Sequence, residues 1–345
     1  MKNGMGRTLG AALVLMTLLS AGLAACGASP RAEPDGGEEE HTDEADLTSI
    51  ERLSPVELSE GERLRVVATT TIVGDVVAQV GQGAIDLVVL LPVGADPHGY
   101  TPTPKDLQTV ADAHLVFLNG FGLEEALQET LDQAGGAMLV SISEGIEPLS
   151  FEAGADEQGE DEGDAHHHPV GVDPHVWFDP TNVMIWAGNA ARALGALDPA
   201  NATFYQANAD AYIDELEALD GWIEVQVEAV PPSNRVLVTD HAVFNPFAGR
   251  YGFEVVGTVI PAYSSNASVS AKELAELIET IETTGAPAVF VGLTVNPEVA
   301  EGVAVDTGVQ VVPLYTGSLS EVGGPADSYI AMMRYDVAAI VEGLK

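Results

Sequence analysis

The chain alternates between short apolar runs and longer amphipathic stretches from about residue 63 onward. Eight runs carry the β-branched or apolar density of buried strands: Arg65–Ala68, Asp86–Leu91, Leu115–Asn119, Met138–Ile142, Arg235–Thr239, Glu254–Ile260, Ala288–Gly292 and Gln310–Leu314. Each is bounded by turn residues, and helical stretches lie between them. Strand–helix alternation of this kind predicts an α/β chain with mostly parallel sheets. Several helix starts are marked by a capping side chain ahead of a first-turn proline, at Thr103-Pro104, Asp179-Pro180, Asp198-Pro199 and Asn296-Pro297. Ser270 and Glu273 fit a capping box, and that helix should stop near Gly285 and Pro287.

The strands fall into two groups of four, separated by residues 199–230. There Tyr205, Ala209, Tyr212, Leu216, Leu219 and Ile223 follow a 4-3-4-3-4 spacing, one stripe on one helix. A helix over the whole segment would run about 48 Å at about 1.5 Å per residue. That length suits a rigid spine joining two lobes, each a four-stranded mostly parallel sheet flanked by helices, and predicts limited hinge motion. The expected division is 63–198 for the first lobe, 199–230 for the linking helix and 231–345 for the second lobe.

Ahead of the periodic region the pattern changes. Lys2 and Arg7 precede an apolar run from Leu9 to Leu19, followed by small residues, the layout of a secretory signal over residues 1–25. The run ends Leu23-Ala24-Ala25-Cys26-Gly27, which looks like a bacterial lipobox. Cys26 is the chain's only cysteine and stands where acylation requires one. It would anchor the protein by lipid on the extracytoplasmic face of the cell membrane. From Gly27 to Glu62 there are 12 acids, two arginines and no hydrophobic period, which predicts a flexible tether over 26–62. His41, among those acids, reads as solvated.

Charge narrows the partners. Lys and Arg total 13 against 53 Asp and Glu, a formal charge of −40 over 345 residues. Losing Lys2 and Arg7 with the signal takes it to −42. Such a chain is repelled by nucleic acid and attracts cations. One cysteine excludes both an internal disulfide and a cysteine zinc cluster.

The candidate chemistry lies in the eight histidines. His166, His167 and His168 follow Glu152–Asp164, where seven acids occur without a base. Residues 152–169 have too few apolar groups to fold, so they read as a mobile loop that captures metal loosely or is merely solvated. Two more histidines share a stiff tripeptide, Asp96-Pro97-His98 and Asp173-Pro174-His175. His241 closes Thr239-Asp240-His241, at the carboxyl end of the strand that opens the second lobe, where open α/β sheets bind ligands. Asp96, Asp173 and Asp240 are placed to take a second ring N–H and set the tautomer. The spacings of 77 and 66 residues leave two readings open, a shared metal site or three structural histidines. His114, in a strand approach, reads as structural.

Leu91-Pro92-Val93-Gly94-Ala95-Asp96-Pro97-His98, with Tyr100-Thr101-Pro102-Thr103 after it, resembles the first ligand segment of the cluster A-I zinc/manganese solute-binding proteins of ABC transporters. Asn119-Gly120-Phe121-Gly122-Leu123-Glu124 resembles their "NG-x-x-LE" turn. Asp173-Pro174-His175-Val176-Trp177 and Thr239-Asp240-His241-Ala242-Val243-Phe244 resemble the second and third ligand segments. The resemblance implies a metal site in the cleft between two lobes joined by a long helix. It implies His98, His175 and His241 as ligands, and a monomeric receptor that delivers metal to a membrane permease. The acidic His-rich loop resembles the insertion of the zinc-specific branch. Two departures stand out. Gly317, in Tyr315-Thr316-Gly317-Ser318-Leu319, replaces the Asp of a "TDSL"-like turn, and Gly292 replaces the glutamate of "IFVE". Water, a loop histidine, or a carboxylate such as Asp240 or Asp96 is left as the fourth ligand. Three imidazoles without a carboxylate favour Zn²⁺ over Mn²⁺. The reading is of a binding protein; a three-His zinc hydrolase or lyase is the competing one, without a recognisable general base.

Overall fold

The computed structural model describes residues 47–132, 136–149 and 172–345. The signal segment, Cys26, His41, the tether as far as residue 46 and the loop with His166, His167 and His168 lie outside the described residues. Among those described, no helix is long and apolar enough to cross a membrane.

Eight strands form two parallel sheets. The first joins β1 (Leu64–Ala68), β2 (Ile85–Val89), β3 (Leu115–Leu118) and β4 (Met138–Ser141) in the order β2-β1-β3-β4. The second repeats that order with β5 (Val236–Thr239), β6 (Glu254–Thr258), β7 (Ala288–Gly292) and β8 (Gln310–Leu314), as β6-β5-β7-β8. The helices are α1 (Thr71–Gly81), α2 (Pro104–Ala111), α3 (Gln128–Asp132), α4 (Pro180–Leu197), α5 (Ala202–Val227), α6 (Asn245–Tyr251), α7 (Ala271–Thr284), α8 (Glu298–Thr307) and α9 (Tyr329–Gly343). This is the expected α/β class with two four-stranded parallel sheets and one long connecting helix. β2 and β6 end two residues early, but their ladders continue: Leu91 N–H reaches the Thr69 carbonyl and Ile260 N–H the Asp240 carbonyl.

Side chains alternate between two faces of each sheet. Val66, Leu115 and Phe117 of the first sheet and Ala288 and Phe290 of the second join one continuous core with α1, α4, α5 and α9. Val67, Val116 and Leu118 face a separate cluster with Val110 of α2, while Val238, Val289 and Val291 face Leu277, Ile281 and Ala300 of α7 and α8. The predicted stripe of α5 is buried along its whole length and packs on α4, α1 and α9. α5 is shorter than expected: 26 residues, about 39 Å. Its first turn is a 3₁₀ turn, Pro199–Asn201, and Pro231-Pro232 prevents continuation beyond Val230.

Two expectations need correction. The tether does not run to Glu62. Ile50 is buried, its N–H donates to Glu144 Oε2 (2.9 Å), Thr48 N–H donates to the Leu139 carbonyl and Val56 N–H to the Leu197 carbonyl. Leu47, Leu53, Val56 and Leu58 supply enough apolar surface to hold this segment on the first lobe. Asp198 does not cap the following helix by a side-chain bond to its backbone; its carboxylate instead accepts from Asn201 Nδ2 and the Tyr205 hydroxyl. The capping boxes at Thr103/Asp106 and Ser270/Glu273 are both present.

Leu216 lies in the centre of this core, so Leu216→Ala should cost about 2–5 kcal/mol of stability in denaturant unfolding of the metal-free protein. Glu217→Ala, one residue along on the exposed face, should stay within about 0.5 kcal/mol of wild type.

Candidate metal centre

Three loops bring His98, His175 and His241 together at the carboxyl ends of the strands. Their candidate donor atoms all lie within 4.8 Å of one another. His98 Nε2 and His175 Nε2 are 3.1 Å apart, and the ring centroids are separated by 5.1–5.7 Å. Two nitrogens bound to one tetrahedral zinc stand about 3.3 Å apart, given Zn–N distances of about 2.0–2.1 Å. The spacing therefore fits ligation of a single ion.

Each histidine is aimed by local chain chemistry. His241 stands two residues past β5. Asp240 Oδ1 accepts from both its backbone N–H (2.8 Å) and ring Nδ1 (2.9 Å), and Asp240 Oδ2 accepts from the Gly292 N–H at the end of β7 (2.9 Å). His175 is held the same way: Asp173 Oδ1 accepts from its backbone N–H and from Nδ1, both at 2.9 Å. An Nδ1–H given to a carboxylate leaves Nε2 as the lone-pair donor. Asp96 differs, since its Oδ1 accepts from the His98 backbone N–H (3.0 Å) and fixes the loop rather than the ring.

The two Asp-Pro-His segments also span the cleft. Asp173 Oδ2 accepts from Asn245 Nδ2 of α6 (3.0 Å), and Asp96 Oδ2 accepts from the Ser265 hydroxyl. The carboxylates that position first-lobe histidines thus hold the second lobe through their other oxygens. Behind them, Glu124 accepts from Asn119 N–H (2.6 Å), Gly120 N–H (3.1 Å) and the Thr69 hydroxyl (2.8 Å). Burial pushes the Glu124 carboxyl up to about 7 against those hydrogen bonds. Asn119 Nδ2 then donates to the Pro174 carbonyl (3.0 Å), so this turn supports the second histidine segment.

The cavity between the imidazoles is lined by Asp96, Pro97, His98, His175, Trp177, His241, Thr294, Thr316 and Gly317. Its volume of about 10 Å³ suits one water or ion and leaves no room for an organic substrate. The glycines at the two departures are sterically determined. A Cβ at Gly317 would lie 2.9 Å from Pro97 Cδ; one at Gly292 would overlap the Thr316 hydroxyl and lie 3.0 Å from Asp240 Oδ2. Neither position can present a carboxylate without rearrangement, and Asp96, Asp173 and Asp240 have both oxygens engaged elsewhere. Asp240 and Asp96, considered from sequence as a fourth ligand, make these supporting contacts in the structure.

Sequence reasoning missed Asn245 and Ser265, whose contacts run between lobes, and Thr316, whose hydroxyl packs over Gly292. No spacing signal marks them. His114 is outside the site, where its Nδ1 accepts from the Arg65 N–H. Burial and the neighbouring rings push the His98 pKa well down, and burial also lowers that of His175. For His241 burial acts downward too, but the Asp240 carboxylate outweighs it and the net pKa is raised above 6.5.

His241 is therefore the first of the three to take a proton as pH falls. Protons compete with a cation most strongly there, so metal affinity begins to fall as pH drops below its raised pKa. In metal-free protein, NMR titration should place the His241 ring above 6.5, and Asp240→Asn should move it down. An unchanged midpoint in the variant would show that Asp240 does not control the ring.

The family described as zinc-uptake complex component A, periplasmic, matches residues 66–343. The manganese-binding lipoprotein MntA of Halalkalibacterium halodurans is 33% identical over 286 residues, covering 83% of this chain and 90% of the relative. The iron ABC transporter substrate-binding lipoprotein MtsA of Streptococcus pyogenes serotype M1 is 30% identical over 294 residues, covering 83% and 90%. Among solved structures, the periplasmic zinc-binding protein TroA of Treponema pallidum superposes with a TM-score of 0.74 at 28% identity, covering 82% of this chain and 99% of TroA. Two sheets joined by a long helix, three convergent imidazoles and a match over nearly all of the folded region lead to one conclusion: the chain belongs to the zinc-uptake component A family of cluster A-I metal-binding receptors, and it is not an enzyme.

Proposed function

We propose that this protein is an extracytoplasmic zinc receptor, anchored by lipid at Cys26, that captures Zn²⁺ through His98, His175 and His241 and passes it to an ABC permease. The observation that carries the metal assignment is the donor set: three imidazoles converge, and the Asp173 and Asp240 carboxylates beside them are engaged with the ring Nδ1–H groups of His175 and His241. Imidazole suits zinc, whereas manganese prefers carboxylate and water oxygens. Asp173 and Asp240 supply two negative charges just behind the rings, which offset a buried dication. The zinc-binding TroA and the family's own description support the same choice. The lipoprotein names of relatives support the anchor, since Cys26 stands in the lipobox-like pentapeptide. His166, His167 and His168 would gather metal loosely ahead of the cleft.

A second reading is a manganese receptor, favoured by the manganese-binding lipoprotein MntA at 33% identity. Competition alone does not separate the two, because zinc outcompetes manganese at most nitrogen sites. The metals must also be offered separately.

Stripped protein beginning after Cys26 should retain one zinc after desalting, counted by mass spectrometry, and should lose manganese supplied alone. A His98→Ala, His175→Ala, His241→Ala variant should retain neither metal. Replacing His166, His167 and His168 with Ala should remove weak extra zinc and spare the tight equivalent. Manganese retained at one equivalent would favour the second reading, and zinc unaffected by the triple cleft variant would overturn the ligand assignment.

A further inference from the structure

Zinc held by three imidazoles needs one more donor to complete a tetrahedron. The histidines account for three corners, and the Asp96 carboxylate that lines the cavity is bonded to the His98 N–H and the Ser265 hydroxyl. Two buried polar groups there have no hydrogen-bond partner among the described residues, the Trp177 Nε1–H and the Thr316 hydroxyl, and only the hydroxyl can accept a hydrogen bond. Thr316 is 2% exposed and lines the same cavity as the three histidines, and its hydroxyl has no hydrogen-bond partner among the described residues. Buried hydroxyls are normally paired, and leaving one unpaired is unfavourable.

The surroundings show how the hydroxyl comes to lie there. It occupies the space that a side chain at Gly292 would need, so glycine at the end of β7 admits it. The next residue, Gly317, is pressed against Pro97 of the opposite lobe. The segment after β8 therefore offers the cavity a neutral hydroxyl instead of a charged carboxylate.

We infer that Thr316 holds the fourth position of the metal's coordination sphere through a solvent molecule, its Oγ1 accepting a hydrogen bond from that solvent. This rests on the proposed three-imidazole zinc site and specifies how it is completed. A solvent molecule is neutral and exchangeable, so the site gains a fourth oxygen donor without a further buried charge. It also leaves one coordination position through which the ion can be handed on without displacing a protein ligand.

The test uses the full chain after Cys26 with Thr316→Val, which keeps the shape and removes the hydroxyl, beside Thr316→Ser, which restores it. Zinc affinity is measured by chelator competition, and melting is followed with and without zinc. Metal-free Thr316→Val should melt at or above wild type, because an unpaired buried hydroxyl has been removed. Its zinc affinity should fall about ten-fold, the scale of one hydrogen bond to a charged centre, and Thr316→Ser should recover most of the loss. Wild-type zinc affinity in Thr316→Val overturns the inference while leaving the three-imidazole site intact. Metal-free destabilisation in Thr316→Val also overturns it, since the hydroxyl would then be structural. Failure of wild type itself to hold zinc overturns the functional reading instead.

Discussion

Three imidazole lone pairs directed into one small cavity repel one another unless a proton or a cation lies between them. The rest of the molecule is arranged to impose that convergence. His98 and His175 arrive on stiff Asp-Pro-His loops of the first sheet, and His241 on the carboxyl end of a central strand of the second. The two sheets share one apolar core through α1, α4, α5 and α9. That continuity resists the separation of lobes that would relieve the repulsion. A dication between the rings would relieve it and would be matched by Asp173 and Asp240 behind them.

The carboxylates make the arrangement specific. Asp173 and Asp240 each hold a ring N–H and a backbone N–H with one oxygen, which fixes tautomer and direction together. Their second oxygens hold other parts of the fold, Asn245 across the cleft and Gly292 at the end of β7. Ligand orientation and lobe contact are therefore coupled through the same groups. In the proposed zinc site, Asp173 and Asp240 would place charge behind the ligating rings rather than supply ligands themselves.

Much of this was legible in the sequence because it is local. Short apolar runs located the eight strands found among the described residues, a helical stripe located the long helix, and the Asp-Pro-His tripeptides advertised rigid positions for their histidines. What escaped was non-local or weakly patterned. The residues 47–62 looked like a tether because their charge density hides a thin apolar series, from Leu47 to Leu58, that docks on the first lobe. Asn245, Ser265 and Thr316 lie 72, 169 and 24 residues from Asp173, Asp96 and Gly292, their neighbours in space, and nothing in their immediate sequence announces those contacts. The glycines at 292 and 317 were visible as departures, but their meaning depends on Thr316 and Pro97 filling the space.

X-ray absorption at the zinc edge of the loaded protein tests the central claim most directly, because imidazole rings give a distinct outer-shell scattering pattern. Three imidazole nitrogens at about 2.0–2.1 Å and one further light-atom donor are expected. A first shell with two imidazoles or fewer, or with a bidentate carboxylate, would contradict that claim.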